Sequence, residues 1–300
     1  MRSSLLWAFL GLLLIGFGSC KTSQKTYTPL EKSLLWEISG PGIKQPSYLY
    51  GTIHMIPSDD YFLPKGTLSA IEASQNMVFE IDMKEMSDVS ALFGMMGKIF
   101  MKDGVTLKTL LTEEEYKLVE IHFKDMGLPI FFLERIKPMF LSAFATSDMN
   151  PNSLKDGSIK SYEMEFYEIS QDRNMTTGGL ETIDFQVSVF DSIPYKEQAK
   201  MLVESLKTLD DDNGELDQLV ALYKAQDIDA MVNTMSSESS ELAPYEDILL
   251  NGRNKNWIPQ IIQQAKQQTT FFAVGAGHLA GSKGVIHLLR KEGYKVRPVK

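Results

Sequence analysis

The chain has 300 residues, 43% of them hydrophobic and 23% charged, a normal globular profile with enough length for one large domain or two small ones. Asp and Glu outnumber Lys and Arg by 39 to 30, a net charge of −9, and no Lys/Arg stripe outweighs that balance, which argues against a nucleic-acid binder. A single cysteine excludes disulfide staples.

Arg2 precedes the apolar run LLWAFLGLLLIGFG at 5–18, and Gly18, Ser19 and Cys20 follow. This is the layout of a secretory signal, and the run is shorter than the roughly 20 residues of a comfortable membrane span. Cys20 stands where a bacterial lipoprotein signal places its lipidated cysteine, although Phe17 departs from the usual aliphatic residue. The expectation is a signal over 1–20, a polar tether over 21–30, and an exported domain over 31–300, held to a bacterial membrane by lipid on Cys20 and facing the periplasm or exterior. The alternatives are a cleaved signal with an incidental cysteine and an uncleaved anchor.

Strand signals follow at 34–38 and 48–53, separated by Ser39-Gly40-Pro41-Gly42, which reads as a β-hairpin. A helix is expected over 64–74 and a strand over 77–81. A Met-rich helical stretch near 86–102 follows, with Met95-Met96 and Met101 read as core or cap surface. Thr112 and Glu115 form a capping box for a helix reaching about Met126, and Pro129 and Pro138 punctuate further helical turns. A short strand is expected within 174–180 and an amphipathic helix over 194–209. Asp210-Asp211-Asp212 reads as a solvated loop or cap, lacking calcium-loop spacing. One or two helices over 215–235, a polar loop at 236–241 and helices over 245–267 complete the middle. The end reads as strand 270–274, turn 275–278, helix 283–291 stopped by Gly293, and strand 294–299. The sum is an α/β fold: a central sheet of short strands with flanking helices and a mostly helical middle segment.

Four histidines occur, His54, His122, His278 and His287. Two share one setting, a strand followed by Gly-x-x-His: Gly51-Thr52-Ile53-His54 and Gly275-Ala276-Gly277-His278. Ligands in open α/β sheets bind beyond the carboxyl ends of strands, so both histidines are expected at the same edge. Glu80 lies inside the apolar strand VFEID, where a charge is costly unless paired or metal-bound. Asp82 is two residues on and either shares that face or caps the next segment. Glu181 follows Gly178-Gly179-Leu180. Two imidazoles with one or two carboxylates suit a divalent ion such as zinc, manganese or cobalt, which would activate water; the bland reading is that each histidine is a hydrogen-bonding turn residue. His122 reads as surface and His287 as packing.

These residues resemble the TraB/GumN family, also called the TraB/PrgY/Tiki group. The resemblance runs from Leu49-Tyr50-Gly51-Thr52-Ile53-His54 through Glu80-Ile81-Asp82, Gly179-Leu180-Glu181-Thr182 and Gln186 to Arg253-Asn254, Trp257 and Ala273-Val274-Gly275-Ala276-Gly277-His278-Leu279. It implies an active site containing His54, His278 and Glu80, and, in Tiki-type members, metal-dependent peptide cleavage outside the cell. By position it adds Glu181 and Arg253; Arg253 either pairs with a carboxylate, stabilises an oxyanion, or simply fixes its helix. Where the family often has Gly-x-Asp before a mid-chain helix, this chain has Ser161-Tyr162-Glu163. The leading expectation is a metal-dependent peptidase acting on a peptide or protein, with His54, His278, Glu80 and Glu181 as ligands or general base. The alternatives are a metal-free, esterase-like hydrolase using His54 as base, and a peptide- or haem-binding module without turnover.

Overall fold

The computed structural model describes residues 27–87, 94, 97–146, 157–209, 215–235 and 243–300. The signal run, Cys20, most of the tether, Met95-Met96, Asp210-Asp211-Asp212 and the polar loop at 236–241 lie outside the described residues.

Eight strands are described: β1 (Leu35–Ser39), β2 (Ser47–Thr52), β3 (Ile56–Pro57), β4 (Asn76–Ile81), β5 (Ile159–Lys160), β6 (Thr176–Glu181), β7 (Thr270–Gly275) and β8 (Lys295–Pro298). Six form one sheet in the order β6-β4-β7-β2-β1-β8, and β3 pairs with β5 in a separate ribbon. The β1–β2 hairpin forms as expected, Trp36 opposite Leu49. β2, β7, β4 and β6 run parallel, and β1 is antiparallel to both β2 and β8. The two inner strands β7 and β4 carry fully buried runs, TFFAV and NMVF, as strands covered on both faces must.

The decisive topological feature is the place of β7. It comes late in the chain yet inserts between β2 and β4. The carboxyl ends of β2, β4, β6 and β7 therefore lie side by side, which is where open α/β sheets bind ligands.

The sheet is flanked by α1 (Thr67–Ala73), α6 (Tyr162–Asp172), α11 (Gly252–Gln267) and α12 (Val285–Lys291). Trp36, Tyr50, Phe271, Phe272, Ile261 and Leu289 belong to their common core. Between β4 and β6 come α2 (Met83–Ser87), α3 (Leu107–Leu110), α4 (Glu113–Asp125) and α5 (Pro138–Thr146). Thr112 caps α4 through the capping box read in the sequence. After β6 come α7 (Ile183–Asp191), α8 (Tyr195–Leu209), α9 (Glu215–Lys224) and α10 (Ile228–Met235). Helices α3, α4, α5 and α8 share a second apolar core around Leu107, Phe123, Leu141 and Leu202. These four helices thus form a lobe with its own interior, while α9 and α10 pack into the sheet core through Tyr223 and Met231. Among the described residues no helix is long and apolar enough to cross a membrane. Leu30 and Tyr27, at the end of the expected tether, both bond Asp229 at the start of α10.

Candidate active site

The two Gly-x-x-His segments are held together by close backbone approach. A Cβ on Gly51 would lie 2.8 Å from Leu279 Cδ1 and 3.2 Å from the Ala276 Cα, closer than a methyl group tolerates. Glycine here lets the turn after β7 sit directly on β2. In register, Thr52 faces Gly275. Gly275 in turn donates its N–H to Glu80 Oε1 at 2.9 Å. The first glycine of each motif therefore serves packing or an acidic partner, and the histidines project past the strand ends.

The centre of the buried half is Arg253, in the first turn of α11, just after a widened π-type turn at Asp247–Asn251. Its Nε donates to Glu181 Oε1 at 3.0 Å and Oε2 at 3.2 Å. Its Nη2 reaches Glu80 Oε2 at 2.5 Å and also Glu181 Oε1. Its Nη1 reaches the Leu249 carbonyl at 3.0 Å and His278 Nε2 at 3.2 Å. A guanidinium has five N–H donors and no acceptor; all five are committed here. A buried cation so saturated is a counter-ion for two carboxylates, which decides against the oxyanion-donor reading of Arg253 in this arrangement. The guanidinium also lies over Trp257, 5.1 Å from the ring centroid.

This geometry fixes the protonation of His278. Arg253 can only donate, so Nε2 must accept, and the proton resides on Nδ1. Nδ1 meets Asn254 Oδ1 at 2.6 Å. The orientation of that amide is set independently, since Asn254 Nδ2 donates to the Lys283 carbonyl at 3.1 Å. Burial and the adjacent Arg253 charge hold the imidazole neutral, its pKa lowered to about 3 against the pull of Glu80. Burial works against ionisation of Glu80, but the Arg253 charge and the Gly275 N–H hold it below the usual carboxylate range. Gln186 Nε2 bridges Glu80 and Glu181 at 3.3 and 3.2 Å. Trp257 Nε1 donates to Glu181 Oε2 at 3.1 Å and its ring lies 4.4 Å from that of His278.

The other half is open. The His54 side chain is 77% exposed, and its Nδ1 lies 3.3 Å from Glu163 Oε1. The Glu163 carboxylate raises the imidazole well above its ordinary pKa, an effect that solvent moderates at so exposed a group.

His54, Glu80, Glu181, Arg253 and His278 thus lie at one edge of the sheet, with the last four in a single hydrogen-bonded network. Asp82 does not join it. It accepts from Lys84 N and Thr177 Oγ1, the capping alternative. His122 is in α4, edge-on to Phe123, and His287 packs on Tyr27. Asn254, Trp257 and Gln186 had no assigned role in the sequence. The signal was their spacing: Asn254 and Trp257 follow Arg253 by one and four residues on one helix.

The donor chemistry of two imidazoles and two carboxylates suits a zinc or manganese ion; the arrangement does not. Arg253 fills the place of a cation between Glu80 and Glu181 and takes the lone pair that His278 would offer an ion. Among the described residues no group of three or more His, Cys, Asp or Glu side chains is placed to hold a metal. An ion at His278 would first have to displace Arg253.

A family model, that of the TraB/PrgY/gumN family, matches residues 34–298. The chain belongs to this family. Among similar proteins are the Metalloprotease TIKI2 of Danio rerio, 23% identical over 88% of this chain and 60% of its own length, and the Metalloprotease TIKI1 of the same fish, 23% identical over 91% and 64%. The Metalloprotease TIKI homolog of Nematostella vectensis is 23% identical over 100% of this chain and 76% of its own. The chain spans less than two thirds of the length of the two fish relatives. No solved structure matches. All the residues that make up the polar network fall inside the family match.

Proposed function

We propose that this TraB/PrgY/gumN protein is a hydrolase that cleaves peptide bonds in a peptide or protein substrate. The observation that carries the reading is the meeting of His54, Glu80, Glu181, Arg253 and His278 at the carboxyl edge of four parallel strands. The names of the TIKI relatives support the same reaction class. In this reading His54, the accessible member, takes a proton from the attacking water through its outward ring nitrogen and returns it to the leaving amine. Glu80, Glu181, Arg253 and His278 form a fixed, desolvated floor whose charges need not reorganise during the reaction.

The relatives' name brings a divalent ion into the proposal, with zinc, manganese and cobalt as candidates. Arg253, between Glu80 and Glu181, occupies the position such an ion would need. That observation favours a second reading, a metal-free hydrolase on the same residues. The exported, lipid-anchored state expected from residues 5–18 and Cys20 belongs to the same proposal; Cys20→Ser should release the protein from the membrane fraction.

The test is turnover of a quenched fluorescent peptide library by the purified full chain, with and without chelator, beside His54→Ala. Cleavage that is lost in His54→Ala supports the hydrolase reading, and the chelator separates its two forms. Binding of peptides without cleavage, or haem absorbance on the purified protein, would replace it with a binding module.

A further inference from the structure

We propose that Glu163 is the positioning residue for His54, and that Thr52, inside the first Gly-x-x-His motif, sets Glu163 in turn. This deepens the hydrolase reading and rests on it.

Glu163 lies in the first turn of α6, where a helix N-terminus favours negative charge. Both carboxylate oxygens are engaged. Oε1 accepts from Thr52 Oγ1 at 2.7 Å and faces His54 Nδ1 at 3.3 Å. Oε2 accepts from Ser161 Oγ at 3.2 Å. Only 18% of the Glu163 side chain is exposed, against 77% of His54, so the carboxylate is a held acceptor with an exposed partner beside it. Pairing at Nδ1 leaves Nε2 as the nitrogen that exchanges a proton with substrate.

The backbone is built to keep this pair together. The segment after His54 and the segment before Glu163 form the β3–β5 ribbon, with Ile56 opposite Lys160. Ser58 N adds a bond to the Ser158 carbonyl at 2.9 Å. Tyr162, beside Glu163, donates its hydroxyl to the Phe62 carbonyl at 2.7 Å. A two-stranded ribbon of two-residue strands contributes little as a sheet. Its consequence here is to bind the His54 loop to the start of α6. The Glu163 side chain reaches from that helix across to Thr52 and His54.

The experiment compares Glu163→Gln, Glu163→Asp, Thr52→Val and His54→Ala in the full chain. Three quantities are read: kcat and KM on a cleaved peptide, the urea midpoint, and the ¹⁵N resonances of the His54 ring in labelled protein. Glu163→Gln is expected to lower kcat about 100-fold with KM nearly unchanged, to leave the urea midpoint in place, and to move the His54 ring resonances. Thr52→Val should give a smaller change in the same direction, and Glu163→Asp an intermediate one. Unmoved His54 resonances in Glu163→Gln, or a kcat equal to wild type while His54→Ala is inactive, overturns the assignment of Glu163 and leaves the hydrolase reading standing. Full activity in His54→Ala overturns the role of His54, and that of Glu163 with it; absence of any peptide cleavage by the wild type overturns the hydrolase reading itself.

Discussion

Glu80 and Glu163 are both carboxylates beside a histidine at the same edge of one sheet, yet they are set in opposite ways. Glu80 is interior, bonded by Gly275, Arg253 and Gln186, and its histidine, His278, is held neutral. Glu163 stands at the rim, and its histidine, His54, is open to solvent. A buried carboxylate needs a permanent counter-ion, whereas a rim carboxylate can share its charge with a group that gains and loses a proton. In the proposed reaction the interior half would supply rigidity and field and the rim half the exchangeable proton.

The largest break in that contrast comes from Arg253. Arg253→Met leaves Glu80 and Glu181 buried without a cation, and such a loss costs about 3–5 kcal/mol. The urea midpoint should fall accordingly. Arg253→Lys should recover only part, because one ammonium cannot replace a five-donor fork. A stable Arg253→Met protein would mean that the interior carboxylates find other partners. The same variant tests the cation position: with the guanidinium gone, manganese or zinc uptake, measured by elemental analysis, should rise above wild type.

The next effect is a pH dependence from His278. Its folded-state pKa is lowered to about 3, while the unfolded imidazole takes a proton below about 6.5. Between those values the unfolded chain binds more protons, so stability falls as pH falls, by at most about 1.4 kcal/mol per pH unit. Glu80 acts in the same direction but only below its unfolded value of about 4.3. His54, whose pKa is raised, acts with the opposite sign and above pH 6.5. Urea midpoints at pH 6.5 and 5 therefore isolate His278, and His278→Gln should flatten the slope.

An effect of similar size is expected at Gly51. Gly51→Ala must push Leu279 and Ala276 away, and overpacking of this kind costs about 1–3 kcal/mol. The displaced turn carries His278, so the variant should also weaken the Nδ1 bond to Asn254. Hydrogen exchange at Leu279 and Ala276 reports it.

Much of this contrast was legible in the sequence. The repeated Gly-x-x-His setting, the charge inside the VFEID strand and the acidic residue after Gly178-Gly179 all nominate residues that meet at one edge. Three things were not legible. The insertion of β7 between β2 and β4 is a long-range pairing, and no local pattern states which strands become neighbours. The commitment of all five Arg253 donors depends on four separate elements converging, so its role as counter-ion appears only in three dimensions. The pairing of Glu163 with Thr52 and His54 was not legible either, because the ribbon that brings them together involves strands of only two residues, too short to leave a periodic signal.

The smallest effect is the sharpest test of the rim. Among the described residues the polar partner of His54 is Glu163, and three quarters of its side chain meets water. An exposed pair of this kind adds little to folding, so His54→Gln should change the urea midpoint by no more than about 0.5 kcal/mol equivalent. If His54 is the proton carrier, the same substitution should lower kcat/KM on a cleaved peptide by about 100- to 10,000-fold. A residue that matters for folding and not for turnover would reverse that pattern. The interior half is expected to do neither cleanly: His278→Gln alters a packed, hydrogen-bonded position and should lose stability and activity together. Separation of the two quantities at His54, and their coupling at His278, is the form the division of labour takes in measurement.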